Sequence, residues 1–251
     1  MEIYTYSVII PAYNERERIT TTLDRVLAYL AEKQWHAEIV VVNDGSRDDT
    51  AEIVRQYAEK HRSVRLIENP GNRGKGYSVR NGVLHALGNV LLFSDADLSS
   101  PIYEAPKLFA EIDKGADIAI GSRWVNSALQ TERQSVLRQV LGRMYNILLR
   151  LVLGLRYRDT QCGFKAFTKE AALAVFSRQK IERWGFDPEI LYLARKFDFK
   201  VSEVPVEWAH DNRSKINPLA DGIKMFVEML RVRWNDITGR YEQAKRSVAM
   251  S

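Results

Sequence analysis

A single α/β domain, with a mixed but mainly parallel sheet flanked by helices, is the fold class this sequence predicts, and three observations predict it. In the first half of the chain, short apolar runs alternate with segments of helical spacing, which implies parallel strands joined by right-handed crossovers. The chain of 251 residues is long enough for one large core, and its apolar residues are spread evenly with no tract that reads as a linker. Polar clusters also follow the predicted strands directly, at the edge where open α/β sheets place their ligands. The expected domain spans residues 1–238, with a first half at 1–125, a second at 126–238 and a polar, mobile tail at 239–251.

Tyr6 to Ile10 is a short apolar run closed by Pro11, and Glu15 to Glu32 carries Ile19, Leu23, Val26, Leu27 and Leu30 at helical spacing. Glu38 to Val42 reads as a second strand ended by Asn43-Asp44-Gly45-Ser46. Asp48 or Asp49 caps a helix through Lys60, and Val64 to Ile67 is a third strand. Helix Gly76 to Ala86, strand Val90 to Phe93, helix Tyr103 to Lys114 and strand Asp117 to Ile120 continue the alternation. Beyond about residue 125 it fades. There the spacing predicts a long helix from Ser135 to Leu153, an irregular stretch from Tyr157 to Phe167 and a helix from Pro188 to Lys196. A strand from Lys200 to Val206 and a last helix from Leu219 to about Asp236 complete the order.

The most informative segment is Val90-Leu91-Leu92-Phe93-Ser94-Asp95-Ala96-Asp97. Side chains alternate along extended chain, so Asp95 and Asp97 can point the same way where the strand ends. Two converging carboxylates suit a hard divalent cation, Mg2+ or Mn2+, whose shell is completed by water and substrate phosphates; the same tripeptide also reads as a solvated turn. Asp44, at a strand end and held by the Gly45 turn, can accept hydrogen bonds from a base or ribose, and the backbone around Pro11 to Tyr13 can line the same slot. Gly71, Gly74 and Gly76 let backbone pass close to a ligand, while Lys75 reads equally as a point charge near a nucleotide and as a solvated loop lysine.

The net charge of +5 and the basic isoelectric point suit an acidic partner: nucleic acid, an anionic membrane surface or a phosphorylated substrate. The basic residues interleave with aliphatics at helical spacing and not with stacking aromatics, which argues against nucleic acid. Cys162, the one cysteine, excludes an internal disulfide framework. No uncharged apolar stretch is long enough to span a bilayer, and Met-Glu-Ile-Tyr-Thr-Tyr at the start lacks the regions of a signal peptide. A cytoplasmic protein is expected.

Pro11-Ala12-Tyr13-Asn14-Glu15, Asn43-Asp44-Gly45-Ser46, Gly74-Lys75-Gly76, Asp95-Ala96-Asp97 and Gly121-Ser122-Arg123 together resemble, in order and spacing, the inverting family-2 glycosyltransferases with the Rossmann-like GT-A fold. Asp159-Thr160-Gln161-Cys162-Gly163-Phe164-Lys165, Arg183-Trp184-Gly185-Phe186-Asp187-Pro188-Glu189, Glu203 to Trp208 and Ser214-Lys215 resemble the branch that glycosylates polyprenyl phosphates, most of all its dolichyl-phosphate glucosyltransferases. The resemblance implies a nucleotide-binding first half and a second half facing acceptor and membrane. It places Pro11, Ala12, Tyr13, Glu15, Asp44, Lys75 and Asp95 around the nucleotide, with Asp97 as principal metal ligand and Asp95 on the metal or the ribose. It also implies that Arg123 and Arg138 hold the acceptor phosphate, and that Asp187 or Glu189 binds metal or orients the acceptor. Arg138 reads equally as an ordinary polar-face arginine, and Asp187 as the cap of a helix starting at Pro188. Two departures stand out: Ser99 where related mannosyltransferases often have Gln, and Gly142 where they can have Ser.

On a helical wheel the long helix sets Ser135, Gln139, Arg143, Asn146 and Arg150 against a wide apolar arc. The last helix sets Asp221, Lys224, Glu228, Arg231 and Asn235 against Ile223, Met225, Phe226, Val227, Leu230 and Trp234. Both patterns fit interfacial helices at a membrane surface and also fit packing on each other or on a second copy. The function implied is inverting transfer of a hexose, glucose from UDP-glucose, to a polyprenyl phosphate at the cytoplasmic membrane face. Its rivals are a GDP-mannose-dependent mannosyltransferase and, from a different class, a non-catalytic nucleotide-sugar-binding protein.

Overall fold

Val8-Ile9-Ile10, Ile39 to Val42 and Leu91-Leu92-Phe93 are apolar on both faces of an extended chain, which is stable only inside a sheet covered on both sides. A computed structural model of the chain describes residues 4–125, 136–209 and 218–242, the side chains of 136–144 and 218–223 excepted. In it these runs lie at the centre of a seven-stranded sheet of order β3-β2-β1-β4-β6-β5-β7. The strands are β1 (Tyr6–Ala12), β2 (Ala37–Asn43), β3 (Val64–Glu68), β4 (Val90–Ser94), β5 (Ile118–Ser122), β6 (Phe164–Thr168) and β7 (Val201–Pro205). Ile9 stands opposite Val40 on one side and Phe93 on the other. Only β6 runs antiparallel, wedged between β4 and β5.

Helices α1 (Ile19–Glu32), α2 (Thr50–Lys60) and α4 (Ala105–Asp113) cover one face, packing Leu23, Val54 and Phe109 on Val8, Ile39 and Phe164. Helices α3 (Lys75–His85), α6 (Lys169–Phe176) and α7 (Phe186–Lys196) cover the other, joined by the inner sides of α5 (Val136–Leu153) and α8 (Pro218–Ile237). The expected alternation therefore holds through β5, and the order of the second half needs correcting. Phe164 to Phe167, read as irregular, is the antiparallel strand. Lys165 interrupts its apolar run in the sequence but is wholly buried in the fold. Helix α6 was not expected: at eight residues it is too short for a clear periodicity, though Thr168 caps it by accepting from the Ala171 amide.

Helix α8 reverses the predicted wheel in part. Glu228 and Asn235 turn inward, while Phe226, Val227, Leu230, Trp234 and Ile237 are exposed. Polar contacts fasten this helix to α7 along its length. The Gly185 amide donates to Glu228 Oε2 at 2.7 Å, and Tyr192 Oη donates to Asp236 Oδ2 at 2.5 Å. Beyond the helix, Tyr241 is 1% exposed and donates to Glu189 Oε1 at 2.7 Å, so the segment expected as a mobile tail holds an anchored residue near its start. Residues 126–135 and 243–251, with Ser214-Lys215 and the helix start at Ser135, lie outside the described residues.

Burial raises the Glu189 carboxyl from 4.5 to about 7, against the lowering effect of hydrogen bonds from Tyr241 and the Ile181 and Lys180 amides. Between those values the folded chain holds a proton that the unfolded chain has released, so Glu189 lowers stability as pH rises from 4.5 through about 7. Thermal unfolding measured across that window should show this decline in the native protein and a flatter profile in Glu189→Gln.

Candidate active site

The carboxyl ends of the strands carry the site, because each turn there is held by its neighbour. Asp44 N donates to Ala12 O at 2.9 Å, Asn14 N to Ser46 Oγ at 3.0 Å, and Arg47 N to Asn14 Oδ1 at 2.8 Å. These bonds lace the turn after β1 to the turn after β2. Pro11 and Ala12 are buried as the last residues of β1, while Tyr13 and Glu15 are partly exposed beyond it. Glu15 pairs with Arg18, and its amide donates to Thr50 Oγ1 at 2.8 Å.

Asp44 is 4% exposed and serves the protein first. Its Oδ1 accepts from Asn69 Nδ2 at 2.8 Å and the Arg73 amide at 2.9 Å, and its Oδ2 accepts from the Gly74 amide at 2.8 Å. The carboxylate expected to meet a base or ribose thus shapes the loop that leads into α3. Gly74 and Gly76 are likewise filled by protein: a Cβ on either would lie 2.6 Å from Glu182 O or 2.7 Å from Ile181 O. Their close approach is to chain, not to a ligand as the sequence suggested.

Asp95 and Asp97 stand at the end of β4, two strands from Asp44. Thr22 Oγ1 of α1 donates to Ala96 O at 2.5 Å and fixes the loop between them. Asp97 Oδ1 accepts from the Ser99 amide at 2.9 Å. Burial, and then the Asp95 charge beside it, push the Asp97 carboxyl above the usual carboxylate range. A half-desolvated pair of like charges is stabilised by a cation. Among the described residues no group of three or more His, Cys, Asp or Glu side chains is placed to hold a metal ion. A divalent ion here would take Asp95 and Asp97 and draw the rest of its shell from water and phosphates, which fits Mg2+ or Mn2+.

Lys75, in the first turn of α3, is no solvated loop lysine. Its Nζ lies 2.5 Å from Asp95 Oδ1, 5.2 Å from the centre of the Phe93 ring and 5.3 Å from that of Trp184. Burial alone would lower its pKa, but Asp95, Asp187 and Asp97 together raise it. Gly163 explains how Asp95 comes so close to β6, since a Cβ there would sit 1.9 Å from Asp95 Oδ2.

Lys165, which the sequence offered only as part of a motif, completes the cluster. It projects from β6 wholly buried, donates from Nζ to Cys162 O at 2.6 Å and lies 2.5 Å from Asp187 Oδ1. Asp187 is therefore not the helix cap it resembled. Gly185 is the N-cap of α7, and Asp187 faces the lysine inside the first turn. Glu189 accepts the Lys180 and Ile181 amides and the Tyr241 hydroxyl, a structural set of partners. A charged residue at full burial opposite a carboxylate was the signal that sequence could not supply.

Arg123, after β5, gives Nε and Nη2 to Asp159 at 2.6 and 2.9 Å and its own amide to Asp159 Oδ2 at 3.0 Å. Burial alone would lower its pKa; the Asp159 carboxylate raises it. Its fork, expected on a phosphate, is turned toward Asp159, and its guanidinium lies 5.3 Å from the Trp208 ring centre. Arg138 sits in the first turn of α5, and its side chain is outside the described residues.

A mainly parallel sheet whose carboxyl rim carries laced turns and paired carboxylates is the architecture of a Rossmann-like α/β transferase. Residues 7–176 match the family described as "Glycosyl transferase family 2". The chain is 41% identical to a dolichyl-phosphate beta-glucosyltransferase of Trichomonas vaginalis over 242 residues, spanning 92% of this chain and 71% of that one. It is 35% identical to the Homo sapiens dolichyl-phosphate beta-glucosyltransferase over 259 residues, spanning 96% and 79%. The chain belongs to glycosyl transferase family 2 and, within it, to the dolichyl-phosphate beta-glucosyltransferases. Glucosyl-3-phosphoglycerate synthase from Mycobacterium tuberculosis, solved with Mn2+, UDP and glucosyl-3-phosphoglycerate, shares the fold: TM-score 0.65 and 22% identity over 91% of this chain and 80% of that one.

Two substitutions test this geometry. Lys165→Met should cost about 3–5 kcal/mol in denaturant unfolding by leaving Asp187 buried and unpaired, and adding Asp187→Asn should recover much of it. Gly163→Ala should displace Asp95 and weaken joint binding of UDP and Mn2+ in calorimetry by about tenfold or more, with cooperative unfolding retained.

Proposed function

We propose that this protein transfers glucose from UDP-glucose to dolichyl or another polyprenyl phosphate in one in-line displacement, giving a β-linked product from an α-linked donor. The observation that carries the reading is the Asp95–Asp97 pair, partly desolvated on the same rim as the slot beside Asp44. Membership among the dolichyl-phosphate beta-glucosyltransferases supplies the substrate classes.

In this reading the slot formed by Pro11, Ala12, Tyr13 and Glu15 takes the nucleoside, and Asp44 keeps the loop to Gly74 in place around it. Asp95 and Asp97 hold Mg2+ or Mn2+, which when bound neutralises charge on the departing nucleoside diphosphate. Lys75 balances Asp95 and adds positive charge on the donor side. A phosphate monoester has a second pKa of about 6 and is already an anionic nucleophile near neutral pH, so no strong catalytic base is required. Arg123, steadied by Asp159, and Arg138 at the start of α5 supply the cationic surroundings of the acceptor, and Asp187, fixed by Lys165, borders them.

The acceptor's prenyl chain is insoluble in water, so its phosphate is met at a bilayer surface. No helix among the described residues is long and apolar enough to cross a membrane. Ile147 and Leu151 on α5 are 55% and 77% exposed, and Leu230, Trp234 and Ile237 on α8 are exposed as well, apolar surface on both helices that suits interfacial contact.

Turnover with labelled UDP-glucose and GDP-mannose, polyprenyl phosphate vesicles and Mg2+ or Mn2+ tests the reading. Glucosyl transfer should depend on the metal and drop at least about a hundredfold in Asp97→Ala. Full transfer by that variant would refute the metal assignment, and preference for GDP-mannose would change the sugar.

A further inference from the structure

Away from the catalytic rim, the end of α5 opens into a surface hollow of about 690 Å3 lined by Arg150, Gly154, Leu155, Arg156, Tyr157 and Arg195. Three arginines around one concavity repel one another unless an anion joins them. Only one has a structural reason to be there. Arg195, from α7, donates through Nη1 to Leu153 O at 2.9 Å and Gly154 O at 2.8 Å, closing the last turn of α5. That contact needs glycine at 154, where φ is +66° and a Cβ would lie 2.0 Å from Arg195 Nη1. The result is a guanidinium held in one orientation at the wall of the hollow. Arg150 and Arg156 are exposed, and neither side chain has a hydrogen-bond or ion-pair partner among the described residues. The nearby carboxylate of Glu203 is occupied by the Arg158 and Asp159 amides.

The neighbourhood selects the ligand. Ile147 and Leu151 form the exposed apolar ridge of α5, and Arg150, one turn along the helix from Ile147, borders that ridge on one side. A soluble anion would not need that ridge; a phosphate carried at the edge of an apolar layer meets both at once. We infer that the hollow is a binding site for the phosphate of an anionic membrane lipid, held between Arg150, Arg156 and the fixed fork of Arg195, distinct from the acceptor site at Arg123. Guanidinium forks match phosphate oxygens in geometry as well as charge. The inference rests on the membrane-surface reading given above.

The full chain is sedimented with vesicles of phosphatidylcholine alone and of phosphatidylcholine mixed with phosphatidylserine. The native protein should prefer the anionic vesicles, and Arg150→Ala/Arg156→Ala should lose about tenfold to thirtyfold of that affinity while its binding to neutral vesicles stays the same. Arg25→Ala/Arg62→Ala removes the same charge from exposed positions elsewhere and should leave the preference intact. Equal loss in both double variants, or no loss in the first, would overturn the site. Inorganic phosphate titrated in a calorimeter is the other arm. If it binds in an Arg150/Arg156-dependent way while vesicle preference is unchanged, the hollow takes a free anion and the lipid assignment falls. Leu151→Glu separates the two readings, since it should weaken binding to both kinds of vesicle. A native protein that sediments with neither would refute membrane docking itself, and the lipid site with it.

Discussion

One buried ammonium, that of Lys165, joins strand β6 to the first turn of α7 beside the end of β4. It projects from the antiparallel strand β6, reaches the Cys162 carbonyl behind it and Asp187 of α7 ahead, and lies 6.0 Å from the Phe93 ring of β4. A buried pair of this kind adds little to stability compared with apolar packing, but it is costly to misplace. Moving β6 by one position would turn Lys165 into the apolar layer that holds Phe164 and Ala166, with no carboxylate to meet it. The pair therefore sets the register of the strand on which Gly163, and through it Asp95, depends.

Around that point positive and negative groups alternate. Lys165 faces Asp187, and Lys75 lies 5.2 Å from the centre of the same Phe93 ring, within the field of Asp95, Asp187 and Asp97. The remaining acids of the rim are engaged elsewhere. Asp44 shapes the loop to Gly74, Asp159 grips Arg123, and Glu189 receives the amides of Lys180 and Ile181. This division leaves Asp97, at the end of β4, without an ion-pair partner among the described residues, and that is where a cation would be drawn.

Much of this was legible in the sequence. The β1 to β5 alternation is written in unbroken runs such as Ile39 to Val42 and in turn residues such as Asn43 to Ser46, so the rim and its paired aspartates could be located before any coordinates. The second half was harder for physical reasons. A strand of five residues with a lysine at its second position, Phe164 to Thr168, carries neither alternation nor a continuous apolar run. Helix α6 is only two turns long. Asp187 before Pro188 has the chemistry of a cap, and only its burial opposite Lys165 gives it another role. Arg123 was recognised, yet its fixed partner Asp159 lies far along the chain, a pairing that no local pattern encodes.

The fastening of α8 has a mechanical meaning. Gly185 to Glu228 and Tyr192 to Asp236 are two bolts between α7 and α8, Glu189 to Tyr241 is a third just past the end of α8, and α7 itself starts beside the Lys165–Asp187 pair. A helix joined this way does not swing out as a separate paddle. Whatever the exposed row of Leu230, Trp234 and Ile237 rests on, the whole body tilts and rides with it, so the reach from that surface to the aspartates is a built-in stand-off height and not an adjustable one.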